Sequence, residues 1–219
     1  MAGNGYKNSY TGRNLLKIND PPKKSIMFMD SNSRYLDPAM LWKNLTMIPC
    51  STTQDLRNKL HSTQLDNYQI IFIHTGVNDI DTVAGEEVAK NIIDIVQRLH
   101  QCHPSLKIIV SEITPRQLFR DDEVIKCNTA LRASLQNETN VTLAFHSNLR
   151  NEKWTFHTTN DDKHFSQVSI SRFASNIKIA FRKSIGILSN KYGSKKQNFG
   201  ADNHIRADTR HNAKNSEFG

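Results

Sequence analysis

Apolar residues along this chain gather into short continuous runs, separated by longer stretches in which they recur every three or four positions. Four runs read as strands: Ser25 to Met29, Gln69 to His74, Lys107 to Glu112 and Val141 to Phe145, with a weaker one at Leu45 to Ile48. Their hydrophobicity is continuous rather than alternating, as in strands covered on both faces. Between the second and third strong runs, Val88, Ile92, Ile95, Val96 and Leu99 fall on one helical stripe that ends before Pro104. Further helices are predicted around Glu123 to Leu135 and Gln167 to Ile185, the last with Phe173, Ile177, Ala180 and Phe181 along one side. Strands alternating with helices, without internal repeats, predict an α/β fold: a three-layer α/β/α domain with a doubly wound, mainly parallel sheet. In such a sheet ligands bind outside the carboxyl ends of the strands.

Composition adds boundaries to this pattern. A chain of 219 residues suits one core, and a hydrophobic share of 37% fits a normal core diluted by polar ends. Residues 1–24 lack an apolar period and carry Lys7, Arg13, Lys17, Lys23 and Lys24 against Asp20. Residues 189–219 are similar, with Lys191, Lys195, Lys196, Arg206, Arg210 and Lys214 against Asp202, Asp208 and Glu217. Both ends are expected to be flexible, leaving a folded domain over 25–188 that is nearly neutral although the chain's formal net charge is +8. Basic ends are usually solvated and functionless; the other reading is a loose, salt-sensitive attraction to nucleic acid. No apolar run approaches the roughly 20 residues that span a bilayer, and the first residues lack an uninterrupted secretory segment. The expected location is therefore cytoplasmic or nuclear. Cys50, Cys102 and Cys127 form an odd set without paired metal spacing, so reduced thiols are expected.

The loops that follow the strands carry the candidate chemistry. After the first strand come Asp30, Ser31 and Asn32; after the central strand, Thr75-Gly76-Val77-Asn78-Asp79; before the last helix, Asp161-Asp162-Lys163-His164. A serine hydroxyl attacks only when a base takes its proton, and a neutral imidazole such as His164 can do so near neutral pH. A carboxylate orients such an imidazole, with Asp161 the first candidate and Asp162 a weaker one. The backbone N–H of Ser31, a backbone N–H near Cys50 and the Asn78 carboxamide are candidate donors to a developing oxyanion. Taken singly, each is more often a cap, a turn former or a surface residue, and Cys50 is more often a small buried apolar residue.

These residues also carry a resemblance to the SGNH or GDSL-type esterases and lipases, over about Lys24 to Ile187. The stretch from Ile26 to Leu36, IMFMDSNSRYL, resembles the block that supplies the nucleophile and implies that role for Ser31. TGVNDI is similar to the Gly-x-Asn-Asp block and implies the oxyanion amide for Asn78, with Asp30, Gly76 and Asp79 in support. DDKHFS resembles the Asp-x-x-His block and implies orienter and base for Asp161 and His164. SEITPR, with Asn128 in the helix that follows, is similar to supporting features of these proteins. Met29 and Cys50 stand where the family has glycine, which implies lowered activity because glycine permits positive φ and close approach.

The resemblance implies a flavodoxin-like serine hydrolase of small acyl esters, needing no cofactor or metal. A resemblance to the esterase-type domains of some LINE-type retroelement proteins implies the alternative, an accessory domain of weak or lost chemistry whose basic ends contact nucleic acid. His100, Cys102 and His103 lack the second ligand pair of a zinc site. Phosphate-loop, dinucleotide and Gly-x-Ser-x-Gly motifs are missing. Arg116, Arg120 and Lys126 are candidates for holding an anionic substrate, against a solvated helix end. The intervals 80–86 and 146–160 are where specificity is expected.

Overall fold

The computed structural model describes residues 24–116, 120–150, 156–158 and 161–187, with the backbone alone at 156–158 and 161–163. Apart from Lys24, the two basic ends lie outside the described residues. Five parallel strands form one sheet: β1 (Ser25–Met29), β2 (Leu45–Pro49), β3 (Ile70–His74), β4 (Lys107–Ser111) and β5 (Val141–Ala144), in the order β2-β1-β3-β4-β5. A separate antiparallel pair, β6 (Phe156–Thr158) and β7 (Asp161–Phe165), follows β5. The helices are α1 (Pro38–Leu41), α2 (Thr53–Ser62), α3 (Gly85–Cys102), α4 (Asp121–Leu135) and α5 (Gln167–Ser184).

Alternate strand residues feed two cores, which makes the sheet the middle of three layers. Ile26, Phe28, Ile71, Ile73, Ile108 and Val110 pack with Leu56 of α2 and the buried stripes of α3 and α4. Met27, Met29, Phe72 and Ile109 pack on the other face with Leu41 of α1 and with Phe173, Ile177 and Phe181 of α5. Fully burying one such Phe or Ile is worth about 1.5–3 kcal/mol, so these two faces hold the sheet in register. At the tightest helix contact, a Cβ on Gly85 would lie 2.0 Å from the Glu123 carbonyl oxygen, so α3 and α4 approach as closely as glycine allows.

The register sets the stage for the chemistry. Met29 of β1 pairs with Pro49 of β2 and His74 of β3, Ile73 pairs with Val110, and Ser111 of β4 pairs with Ala144 of β5. The strands thus end at a common level, and the loops after them meet there. Asp161 to His164 differs from the sequence expectation: it lies in β7 rather than in a loop. Its polar residues pair with only a three-residue partner, too short and too polar a pattern to read as a strand.

Candidate active site

Ser31 opens a 3-10 turn, Ser31–Tyr35, immediately beyond β1. Asp30 caps that turn, its Oδ1 accepting from Asn32 N at 2.9 Å. The first N–H groups of such a turn have no partner within it. His164 comes from β7, and Ser166, capping α5 through Ser169 N at 3.3 Å, fixes the point where strand gives way to helix. The structure brings the two together: Ser31 Oγ lies 2.9 Å from His164 Nε2, across 133 residues of sequence. Both are half-buried, and the edge of the half-exposed Tyr35 ring faces the imidazole with centroids 6.3 Å apart. Asn32, fully buried, ties the two segments by accepting from Phe165 N through Oδ1 at 3.2 Å.

The remaining expected residues fall into place unevenly. Asp161 begins β7, and its side chain, like that of Asp162, lies outside the described residues. Asn78 donates from Nδ2 to the Ser51 carbonyl at 2.9 Å, which pins the carboxamide. Cys50 departs from expectation. Its N–H donates to Met29 O at 2.6 Å, continuing the β1–β2 ladder, so the amide assigned to an oxyanion is engaged in the sheet. Its side chain is 2% exposed, and burial pushes the thiol up to about 11, partly opposed by the Thr75 hydroxyl. Cys50 is therefore a small buried residue, and Cys127, pushed up to about 12 by burial, is another. Met29, the other replacement of a family glycine, fills the α5-side core.

Gly76 has φ of 109°, and a Cβ there would stand 2.9 Å from both Ile113 Cδ1 and Val88 Cγ1, so only glycine fits. Asp79 accepts from Thr53 N and from Thr53 Oγ1, the latter at 2.7 Å, anchoring α2 to the Asn78 loop. Arg116 is a correction to the sequence expectation of a substrate-binding or solvated cation. Its guanidinium is buried and donates to Val77 O at 3.2 Å and Asp81 Oδ1 at 2.9 Å, holding the same loop from behind. Asn128 holds the chain after β4, with both polar ends of its amide bonded at 2.8 Å to the backbone of Ile113.

No family model matches this chain, and no curated protein matches it. Solved structures do. A member of the lipolytic G-D-S-L family from Veillonella parvula matches with a TM-score of 0.55 and 17% identity, over 73% of this chain and 98% of that one. A carbohydrate esterase of family 3 from Talaromyces cellulolyticus gives 0.58 and 16%, over 75% and 99%. The C-terminal catalytic domain of peptidoglycan O-acetyltransferase A from Streptococcus pneumoniae gives 0.59 and 16%, over 75% and 95%. The chain has the GDSL-type acylhydrolase fold. In this fold the five-stranded parallel sheet is expected to carry its ligand at the carboxyl ends, where Ser31, His164 and Asn78 lie.

Three buried polar residues at this end of the sheet escaped the sequence reading: His74, Ser111 and His146. Each ends or follows a strand and looks in sequence like ordinary polar punctuation. A signal exists only in hindsight, as one histidine or serine at the end of each of three neighbouring strands.

Proposed function

We propose that the protein hydrolyses small acyl esters through a serine-bound intermediate, with Ser31 as nucleophile, His164 as base and Asp161 as its orienter. The single observation that carries this reading is the 2.9 Å contact between Ser31 Oγ and His164 Nε2. As Ser31 Oγ forms its bond to the ester carbonyl carbon, its proton passes to His164 Nε2 and the carbonyl oxygen takes the negative charge. The Ser31 N–H and the Asn78 carboxamide are the donors that receive this oxyanion. The carbonyl re-forms, the alcohol departs with the proton from His164, and the acyl group stays on Ser31. Water then gives a proton to His164 as it attacks the acyl carbon, the bond to Ser31 Oγ breaks as Oγ takes that proton back from His164, and the acid leaves. No cofactor enters either half.

The test is labelling with a fluorophosphonate probe, together with turnover of p-nitrophenyl acetate by wild type and Ser31→Ala. Labelling of wild type at Ser31, with turnover lost in the variant, is the expected result. Equal turnover in both proteins would refute the assignment.

A second reading has one observation in its favour. With the Cys50 N–H committed to Met29 O, the oxyanion site has one donor fewer than the sequence implied. A protein with weakened chemistry, serving as an accessory or binding domain through its basic ends, fits that loss. Wild type that neither labels nor turns over, yet binds RNA in a salt-sensitive manner only while residues 1–24 and 189–219 are attached, would favour it.

A further inference from the structure

Beneath the Ser31 turn lies a buried polar chain that the proposed chemistry does not use. Asp30, His74, Ser111 and His146 are each at most 1% exposed. They follow one another across the carboxyl ends of β1, β3, β4 and β5. Asp30 Oδ2 stands 3.2 Å from His74 Nε2, His74 Nδ1 lies 2.8 Å from Ser111 Oγ, and Ser111 Oγ lies 2.7 Å from His146 Nε2. At the far end the Asn176 amide nitrogen, on α5, lies 3.1 Å from His146 Nδ1. The Phe173 ring packs against both imidazoles, at centroid distances of 5.0 Å and 4.6 Å.

Donor counting narrows where the key proton sits. Asn176 presents an N–H to His146 Nδ1, so that nitrogen accepts and the ring proton of neutral His146 is on Nε2, facing Ser111. Ser111 has a single hydrogen, which goes either to His74 Nδ1 or to the Glu112 carbonyl at 3.1 Å. In the first case a neutral His74 carries its proton on Nε2; in the second, Ser111 Oγ accepts from His74 Nδ1–H, and Nε2 is either bare or also protonated. All but the bare form set an N–H of His74 against Asp30 Oδ2. The reverse, a bare Nε2, would bury a lone pair against a carboxylate oxygen with nothing between them. The two atoms sit off the line of a good hydrogen bond, yet neither has another hydrogen-bond partner among the described residues. The attraction between them is then what makes burying both tolerable.

Asp30 is also the joint between this chain and the reacting groups. Its other oxygen caps the turn that begins at Ser31, and the Asn32 side chain one residue on holds the Phe165 amide next to His164. We propose that His74 is a positioning residue: its Nε2–H fixes the Asp30 carboxylate, and through Asp30 the turn that carries Ser31, while Ser111 and His146 hold its ring from behind. The kinetic consequence rests on the acyl-transfer reading above; the ordering of the turn does not.

The test compares His74→Phe, which keeps a ring against Phe173 but donates nothing, with His74→Gln, which keeps an N–H for Asp30 and an acceptor for Ser111. Amide hydrogen exchange at Asn32 reads the turn directly, and p-nitrophenyl acetate turnover reads its consequence. Exchange at Asn32 is expected to accelerate about tenfold or more in His74→Phe and to return close to wild type in His74→Gln. In the same pair kcat is expected to fall about tenfold with little change in KM, and to be largely restored. Undiminished Asn32 protection in His74→Phe, or no rescue by Gln in a folded protein, would overturn the proposal. In wild type, imidazole nitrogen NMR should find the proton on His74 Nε2, and a bare Nε2 would overturn it even if both variants failed to fold. If wild type neither labels nor turns over, the acyl-transfer reading falls, while Asn32 exchange and the Nε2 proton still decide the role of His74.

Discussion

Among the described residues, serine and histidine are in contact at two neighbouring places, and burial sets them apart. Ser31 and His164 meet half-buried at the mouth of the sheet, on a turn and a short strand. Ser111 meets His74 and His146 at similar distances, but within the core, with every approach closed by strand ends and Phe173. The same pair of side chains is offered as reactive in one place and as scaffold in the other. Composition and distance do not separate them; access and the remaining hydrogen-bond partners do.

The comparison is broken most directly by removing each hydroxyl in turn. On the acyl-transfer proposal, Ser31→Ala is expected to cut turnover of p-nitrophenyl acetate by about four to six orders of magnitude, as deletion of a nucleophile does in serine hydrolases. Its unfolding free energy should stay within about 0.5 kcal/mol of wild type, because a half-buried hydroxyl is lost without opening a core cavity. If Ser111→Ala abolished turnover as completely, the division between reactive and scaffold serine would be wrong.

Asn78 sharpens the reactive half. With the Cys50 amide bonded to Met29 O, the proposed oxyanion site would lean more heavily on Asn78, and Asn78→Ala is expected to lower kcat about 10²–10³-fold with little change in KM. A small loss in steady-state kinetics would move the burden to donors not yet identified.

Ser111→Ala sharpens the scaffold half. It leaves His74 Nδ1 and His146 Nε2 buried without their shared partner, and unsatisfied buried groups cost about 1–3 kcal/mol each. A loss of roughly 2–3 kcal/mol in urea unfolding is expected. A stability unchanged from wild type would mean that the imidazoles find other partners.

How much of this was open to sequence reading follows from where each partner lies along the chain. Strands β1, β3, β4 and β5 were legible because continuous apolar runs such as IIFI are covered by packed layers, whereas β6 and β7 were not; α3, α4 and α5 were legible because their buried stripes repeat at helical spacing. Helix α2 was not, because in TQDLRNKLHS only Thr53 and Leu56 are buried, and its start is set by the Thr52 cap and by Asp79, 26 residues ahead. The contact of Ser31 with His164 agrees with the arrangement expected from the motifs, whereas the engagement of Cys50 with Met29 depends on how far the β1–β2 ladder runs, which side-chain pattern does not encode. Arg116 looked like a surface cation because it stands just ahead of a predicted helix, where a cation is usually solvated. Its burial is decided by Val77 and Asp81, brought over it by the fold.

His146 supplies the finest discrimination between the two clusters, through pH. Burial first, and the neighbouring His74 second, hold its pKa well below the ordinary 6.5. The described groups facing it are His74 from β3, Ser111 at the end of β4, Glu112 just after it, and Asn176 and Phe173 from α5, so among the described residues none offers a second charge-stabilising contact beyond the Glu112 carboxylate on its backbone N–H. In the unfolded chain this histidine takes up a proton as pH falls through about 6.5, while in the folded chain it does not. The unfolded state then binds more protons, so stability rises with pH below that point and levels off above it. The contribution of this one group is a loss of up to about 1.4 kcal/mol per pH unit on acidification below 6.5. His146→Gln keeps an N–H for Ser111 but cannot titrate. Urea unfolding of wild type and variant between pH 7 and pH 5 should give curves that run parallel at the upper end and converge toward the lower, as the wild type alone pays this proton. Curves parallel throughout would show that His146 is charged in both states, and the buried cluster would then be closer in character to the exposed one than its burial implies.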